Sequence, residues 1–293
     1  MTLHQQPLQL NSQLQSVLSS EAAEFLATGQ RYELPGRMIW HAWGADTAPT
    51  IVLLHGGSGS WTHWIRNIQP LVAEGYRVLA VDLPGFGDSD APANGGDADA
   101  LVEPLHAAWQ LLRQHDNNIL MGFSFGGMTA ALWLAQYPQD AQTLVMVGAP
   151  GFGLASPKRI PLKGWRHLAT EALQAQAHRH NLMGLMLHDE ANLDEVAMRL
   201  HVLNVVRDRM TRRRLSSTPV LVEAMPKIKC PVHVIYGEFD AFYLDRLPEV
   251  ETMFKQVTPN LVLWQLVKGM GHWVQYENPT GFHRALKHTL SLV

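Results

Sequence analysis

The segment Gly122-Phe123-Ser124-Phe125-Gly126 joins an apolar run, Asn118 to Phe123 (NILMGF), directly to a small-residue helical pattern that starts at Phe125 (FGGMTAALWLAQYP) and stops at Pro138. A strand that turns at once into a helix strains the residue at the corner. Glycines on either side let the two backbones pass closely enough to push that residue's side chain outward. Ser124 stands at the corner, and Gly-x-Ser-x-Gly in this setting is the pattern of a nucleophile elbow. Outside such a setting the same five residues make an ordinary Gly-rich turn.

A serine hydroxyl near neutral pH is a poor nucleophile until a general base takes its proton. Of the 15 histidines, His272 stands apart because it sits in a Gly-flanked turn (KGMGHW) after the strand-like run Leu261 to Val267. The third group needed is a carboxylate that sets the imidazole tautomer and stabilises the imidazolium. Asp240 fits best, ending VHVIYGEFD just past a β-branched run; Glu238 and Asp245 are rivals. An oxyanion hole is predicted from the strand and glycine-rich turn IVLLHGGSG (51 to 59), with one donor at Phe125 N–H and the other at Gly57, Ser58 being the neighbouring option. No Gly-Lys-Ser/Thr follows, so this loop is not a phosphate cradle.

Strands are predicted near Met38 to Trp43, Thr50 to His55, Arg77 to Asp82, Asn118 to Phe123, Thr143 to Ala149, Pro231 to Gly237 and Asn260 to Val267. Helical patterns cover Trp61 to Ala73, Ala98 to His115, Phe125 to Tyr137, Tyr243 to Gln256 and Thr280 to Val293. The alternation implies an α/β fold with a largely parallel, doubly wound sheet and ligands at the carboxyl ends of its strands. Between Ala149 and Pro231 it lapses into helix-like, Met-rich and Arg-rich sequence. The core is therefore assigned to 1–150 and 226–293, and 151–225 to a helical lid inserted into it. From Pro157 to Met225 there are 11 Lys and Arg against 7 Asp and Glu, so the insertion is net positive. Its methionines (Met183, Met186, Met198, Met210) suit core filling or an adaptable apolar pocket.

With 46% hydrophobic and 17% charged residues the chain is globular, and a net charge of −3 without a dense basic stretch argues against nucleic acid. Arg212-Arg213-Arg214, His178-Arg179-His180 and His188-Asp189 are read as solvated helix surface. The N-terminal stretch lacks a basic start and a continuous apolar core, so neither a secretory signal nor a membrane span is expected and the location expected is cytoplasmic. Cys230 is the only cysteine and reads as a small buried side chain. No HExxH, paired CxxC or calcium-loop spacing appears, so no metal and no cofactor is expected. The expected partner is a small-molecule substrate; a homo-oligomer is allowed but not required.

LLHGG (53 to 57), VDLPGFGDSD (81 to 90), GFSFGG (122 to 127), YGEFD (236 to 240) and GHW (271 to 273) together resemble the α/β-hydrolase superfamily, over roughly residues 37 to 293. The order Ser124, Asp240, His272 is also the chain order of that superfamily. Within it, residues 66 to 90 and GHWVQYENP (271 to 279) are similar to the carbon–carbon bond hydrolases that cleave ring-fission products of aromatic degradation. That resemblance implies a sheet of about eight strands, a helical cap after the sixth, Trp273 lining the pocket and Arg199 holding a substrate carboxylate, with Arg207 as its rival. Two departures stand out. Phe123 occupies the place where those enzymes usually carry asparagine, and GGSGSW is shorter than their extended Gly-Pro-Gly loop.

The leading expectation is therefore a serine hydrolase acting on a carboxylic ester through an acyl-enzyme. Trp61, Trp64, Phe123 and Phe125 near the predicted mouth suggest an apolar or aromatic acyl group, with Ser58 beside it. A carbon–carbon hydrolase of 2-hydroxy-6-oxo-dienoates comes second, and a non-catalytic binding module on the same fold last.

Overall fold

The computed structural model describes residues 4–92, 96–154, 161–210 and 212–291. Positions 155–160 and 211 of the expected insertion, the first three residues of the chain and the last two of the C-terminal helical pattern lie outside them. Nine strands form one sheet: β1 (His4–Pro7), β2 (Gln30–Leu34), β3 (Met38–Trp43), β4 (Thr50–Leu54), β5 (Arg77–Asp82), β6 (Asn118–Phe123), β7 (Thr143–Val147), β8 (Val232–Gly237) and β9 (Leu261–Val267). Their order is β1-β2-β3-β5-β4-β6-β7-β8-β9. The pairings among β1, β2, β3 and β5 are antiparallel, and those from β5 through β4 to β9 are parallel.

The central strands are apolar along their length because both faces are covered. Alternation then divides them between two cores. Ile51, Leu53, Ile119, Met121, Val145 and Val147 enter one, whereas Val52, Leu54, Leu120, Leu144 and Met146 enter the other. The helix Phe125–Gln136 is buried nearly all round, as its lack of a polar face requires, between the sheet and the helices Val102–Leu112 and Val220–Ala224.

The expected count of about eight strands is corrected to nine. β1 (HQQP) is exposed throughout and β2 (QRYEL) buries only Tyr32 and Leu34, so neither carries a long apolar run; backbone pairing near the sheet edge defines them. The pattern Trp61 to Ala73 also divides, into a 3₁₀ turn Trp61–Trp64 and a helix Ile68–Ala73.

From β4 the chain crosses to β5 on one side, then returns to β6 on the other. Such a reversal opens a crevice beyond the carboxyl ends of the two diverging strands, where the His55-Gly56-Gly57 loop and Ser124 lie. Between β7 and β8 the described residues hold no strand, only helices such as Glu171–Leu185, Glu195–Val205 and Val220–Ala224. Asp194 anchors this segment. It caps the second helix through Ala197 N–H at 2.7 Å, accepts from the Tyr276 hydroxyl at 2.6 Å and pairs with Arg66, which lies over the Tyr276 ring. No helix among the described residues is long and apolar enough to cross a membrane.

Candidate active site

Ser124 holds φ 51° and ψ −118°, a left-handed conformation that costs a non-glycine residue about 1–3 kcal/mol and persists only where its surroundings enforce it. They do so at close quarters. A Cβ at Gly122 would stand 2.3 Å from the Gly126 carbonyl oxygen, and one at Gly126 would stand 2.5 Å from that of Leu54. Ser124 N–H donates to Val147 C=O at 2.7 Å, tying the corner to β7.

Asp240 and His272 arrive from the ends of β8 and β9. His272 Nδ1 lies 2.7 Å from Asp240 Oδ2, with both side chains almost wholly buried, while Asp240 Oδ1 accepts from Phe242 N–H at 2.9 Å. A carboxylate in that position makes Nδ1 the donor and leaves the Nε2 lone pair free. The rivals lie elsewhere: Glu238 is exposed and accepts from Gly269 N–H at 2.9 Å, and Asp245 is exposed.

Glu277, which sequence reasoning passed over, holds the His272 loop. Only 5% exposed, it accepts from the N–H groups of His188 at 2.7 Å, Asp189 at 3.1 Å and Gly271. Burial pushes its carboxyl pKa up while these donors pull it down. Trp273 N–H donates to Met186 C=O at 2.7 Å, so the His272 loop and the inserted segment are fastened together twice. A lone acid six residues beyond a Gly-His turn carries no periodic signal; only the local GHWVQYENP pattern could have drawn attention to it.

The loop after β4 is set by two neutral histidines. His55 Nε2 accepts from Leu83 N–H at 2.9 Å, which assigns the proton to Nδ1, 2.7 Å from Gly56 C=O. His63 Nδ1 accepts from Gly56 N–H at 3.2 Å. Burial lowers the His55 pKa to about 4 and that of His63 well below the usual value. With Gly56 N–H thus engaged, the N–H groups of Gly57 and Phe125 have no acceptor among the described residues. A Cβ on Gly57 would lie 3.7 Å from that of Phe125, so the two residues flank one spot.

Ser124 and His272 open onto one cavity of about 240 Å3, whose walls include Gly57, Ser58, Phe123, Phe125 and Phe242 from the core and Leu162, Leu185, Met186 and Arg213 from the segment between β7 and β8. Arg213 is the second group that sequence reasoning missed. Read as part of a solvated helix face, it belongs to no helix and is mostly buried. Its Nη2 donates to Ser58 Oγ at 3.0 Å and Asp208 Oδ2 at 2.9 Å, and Ser58 Oγ donates to the same carboxylate oxygen at 2.5 Å. Arg213 Nη1 is buried without a partner and would lie 2.9 Å from a Cβ on Gly57. An unpaired guanidinium N–H beside the free amides favours a substrate oxygen there.

Three expected pocket residues stand elsewhere. Trp64 is fully buried, edge-on to Phe123 and in contact with Phe282 beneath the site. Trp273 is 1% exposed, packs on His63 and Tyr276, and donates to His63 C=O at 2.9 Å; it supports the loop from behind. Arg199 is half-buried on the helix Glu195–Val205 and does not line the cavity; its rival Arg207 pairs with Asp88 at 2.8 Å on another side. Adjacency to a motif does not tell which face a bulky side chain takes once its backbone turns. His178, expected at the surface, is 2% exposed between Trp165 and His201. Among the described residues no cluster of His, Cys, Asp and Glu is arranged to hold a metal.

Comparison with known proteins agrees with this architecture. The profile of the alpha/beta hydrolase fold matches residues 49–218. A 2-hydroxy-6-oxononadienedioate/2-hydroxy-6-oxononatrienedioate hydrolase from Cupriavidus pinatubonensis is 29% identical over 256 residues, covering 81% of this chain and 85% of that protein. Among solved structures, an esterase from Rhodococcus sp. ECU1013 superposes with a TM-score of 0.71 at 23% identity, covering 87% of this chain and 94% of its own. A carboxylesterase from Bacillus subtilis reaches 0.72 at 19% identity, covering 92% and 94%. At those identities the two structures speak for the fold, and the profile match over more than half the chain for the family: this protein belongs to the α/β-hydrolase family and is an enzyme of that fold.

Proposed function

We propose that the chain is a serine hydrolase cleaving a carboxylic ester with a compact apolar or aromatic acyl group. His272 Nε2 takes the Ser124 proton as the hydroxyl attacks the carbonyl carbon, and Asp240 supports the imidazolium through Nδ1. The amides of Gly57 and Phe125 receive the developing oxyanion, each worth about 2.7–4 kcal/mol of barrier by the general cost of losing such a donor. His272 then protonates the leaving alkoxide. Water, activated by the same imidazole, attacks the acyl carbon, and the proton returns to Ser124 as the acid departs.

The observation carrying this reading is that the strained Ser124 corner and the buried Asp240–His272 pair meet at a small cavity walled by Phe123, Phe125, Phe242, Leu185 and Met186. Phe123 offers an enolic substrate no polar group. The segment 151–225 serves as the cap, supplying the far wall.

A second reading, cleavage of a carbon–carbon bond in a 2-hydroxy-6-oxo-dienoate, is favoured by the unpartnered Arg213 Nη1 and by the activity named for the Cupriavidus pinatubonensis relative. The ratio of kcat/KM for a short p-nitrophenyl ester to that for a 2-hydroxy-6-oxo-dienoate separates the two, with Ser124→Ala as the blank. A ratio well above one is expected. A ratio well below one overturns the ester reading and makes Arg213 the centre of recognition.

A further inference from the structure

A cavity of about 340 Å3, within the size range of small-molecule sites, lies between the N-terminal strand, β3 and the helix Glu195–Val205, and shares no lining residue with the catalytic cavity. One side is apolar, formed by Leu8, Leu14, Leu203 and Trp61. The Trp61 ring is held in place by His41 and Trp43, at centroid distances of 5.2 Å and 5.3 Å.

The cavity also carries charge in its lining. Arg207 and Asp88 both line it and neutralise each other at 2.8 Å. Arg31 also lines it with a side chain only 15% exposed, yet its partner Glu33, bonded through Nη1 at 3.3 Å, is 39% exposed and lies outside the lining. Glu33 thus engages Nη1 from outside the cavity, whereas Arg31 Nε and Nη2 make no hydrogen bond among the described residues. Beside it His41 is 1% exposed, and its Nδ1 has no partner. Burial lowers the His41 pKa to about 3, so the ring is neutral and can donate or accept one hydrogen bond without adding charge.

A guanidinium with two free N–H groups beside an unsatisfied imidazole, in a cavity also lined by an indole and leucines, matches a small ligand with one anionic end and one apolar end. A cation would be repelled by Arg31, and a polyanion such as phosphate would leave the apolar wall uncovered. We propose that this cavity is a second ligand site, separate from the catalytic one, that takes a small amphipathic carboxylate, with its carboxylate on Arg31 and His41 and its apolar part against Trp61. Asn204 in the same wall accepts from Ser60 Oγ at 2.8 Å and donates to Thr62 Oγ1 at 3.1 Å, so an occupant would sit beside the strut of the oxyanion loop.

The test is isothermal titration calorimetry of the full chain with benzoate, and with benzyl alcohol as the uncharged control. Benzoate should bind the wild type and Arg213→Met alike, at least about tenfold more weakly to Arg31→Gln, and undetectably to Leu203→Trp, which fills the cavity. Benzyl alcohol should bind at least about tenfold more weakly than benzoate. If Arg31→Gln does not fold, as judged by its thermal transition, Leu203→Trp carries the test. No binding to the wild type, unchanged affinity in Leu203→Trp, loss of binding in Arg213→Met or equal binding of the alcohol would each overturn the proposal.

Discussion

The crevice between β4 and β6 and the described residues between β7 and β8 both wall one cavity, but their groups are placed by different means. On the sheet side the backbone places them. Ser124 is held at the end of β6 by glycines whose Cβ atoms would overlap neighbouring carbonyls, and the Gly57 loop by a neutral His55 and His63. On the other side Met186 and Arg213 are held by side-chain and loop contacts: Asp194 to Arg66 and Tyr276, Glu277 to the amides of 188 and 189, Asp208 to Arg213 and Ser58. Backbone contacts at strand ends fix the positions of Ser124 and the Gly57 loop, while a segment docked by replaceable side-chain contacts can vary the far wall without disturbing them.

That contrast is open to attack, and the largest effect lies at the elbow. Ser124→Ala should lower kcat by about 10⁶-fold with any substrate while circular dichroism and the thermal transition stay near wild type. Appreciable turnover in a folded mutant would reject the elbow. Asp240→Asn should cost about 10⁴-fold, because an amide reverses the preference for Nδ1–H, and KM should change little. Loss of folding there, without a distinct kinetic defect in soluble protein, would make the pair structural.

Gly126→Ala tests the backbone directly. A Cβ 2.5 Å from Leu54 C=O has no flexible side chain to displace, so a loss of about 3 kcal/mol or more is expected in urea unfolding. A loss below about 1 kcal/mol would show the corner to be more tolerant than its geometry demands. Arg213→Met, on the other wall, should leave short neutral esters within about threefold and lower kcat/KM for esters bearing an oxyanion or carboxylate near the carbonyl by about 10- to 100-fold. Equal loss for both substrate types would place Arg213 with the catalytic groups and erase the division of labour.

The last test concerns the buried histidines of the sheet side, whose effect on stability grows with each pH unit. His41 and His55 have folded pKa values lowered to about 3 and about 4, against an ordinary value of 6.5. Below pH 6.5 the unfolded chain takes up protons that the folded chain refuses. Stability should therefore fall as pH drops from 6.5 towards 4, by up to about 1.4 kcal/mol per pH unit for each histidine, and be fully present above it. Urea midpoints between pH 7 and 4.5 measure this, and His41→Phe should flatten the slope. An unchanged slope in that variant would contradict the assignment to His41.

Several features were legible in the residues because they are one-dimensional. The central strands show as apolar runs, the Ser124 corner as a strand meeting a helix without a spacer, and Asp240 and His272 as polar residues just past strand ends. β1 and β2 were not, since short strands near a sheet edge with few buried side chains are defined by hydrogen bonds between segments more than by side-chain pattern. Trp64 and Trp273 were assigned to the pocket from their place beside motifs, but the 3₁₀ turn at Trp61–Trp64 and the loop around His272 aim them inward. A run of three arginines reads as solvated surface by composition, yet Arg213 turns inward because Ser58, from a distant part of the chain, meets it together with the nearby Asp208.

By itself, then, the sequence determined which backbone corners can exist: glycine spacing and apolar periodicity are local requirements, and they place Ser124, Gly57, Asp240 and His272 at the ends of strands. Tertiary structure alone decided which arginine faces the Ser124 cavity and which aromatics line it. It also set aside a second cavity behind Trp61, because side-chain burial depends on how the described helices between β7 and β8 dock, and that is settled by contacts between residues far apart in the chain.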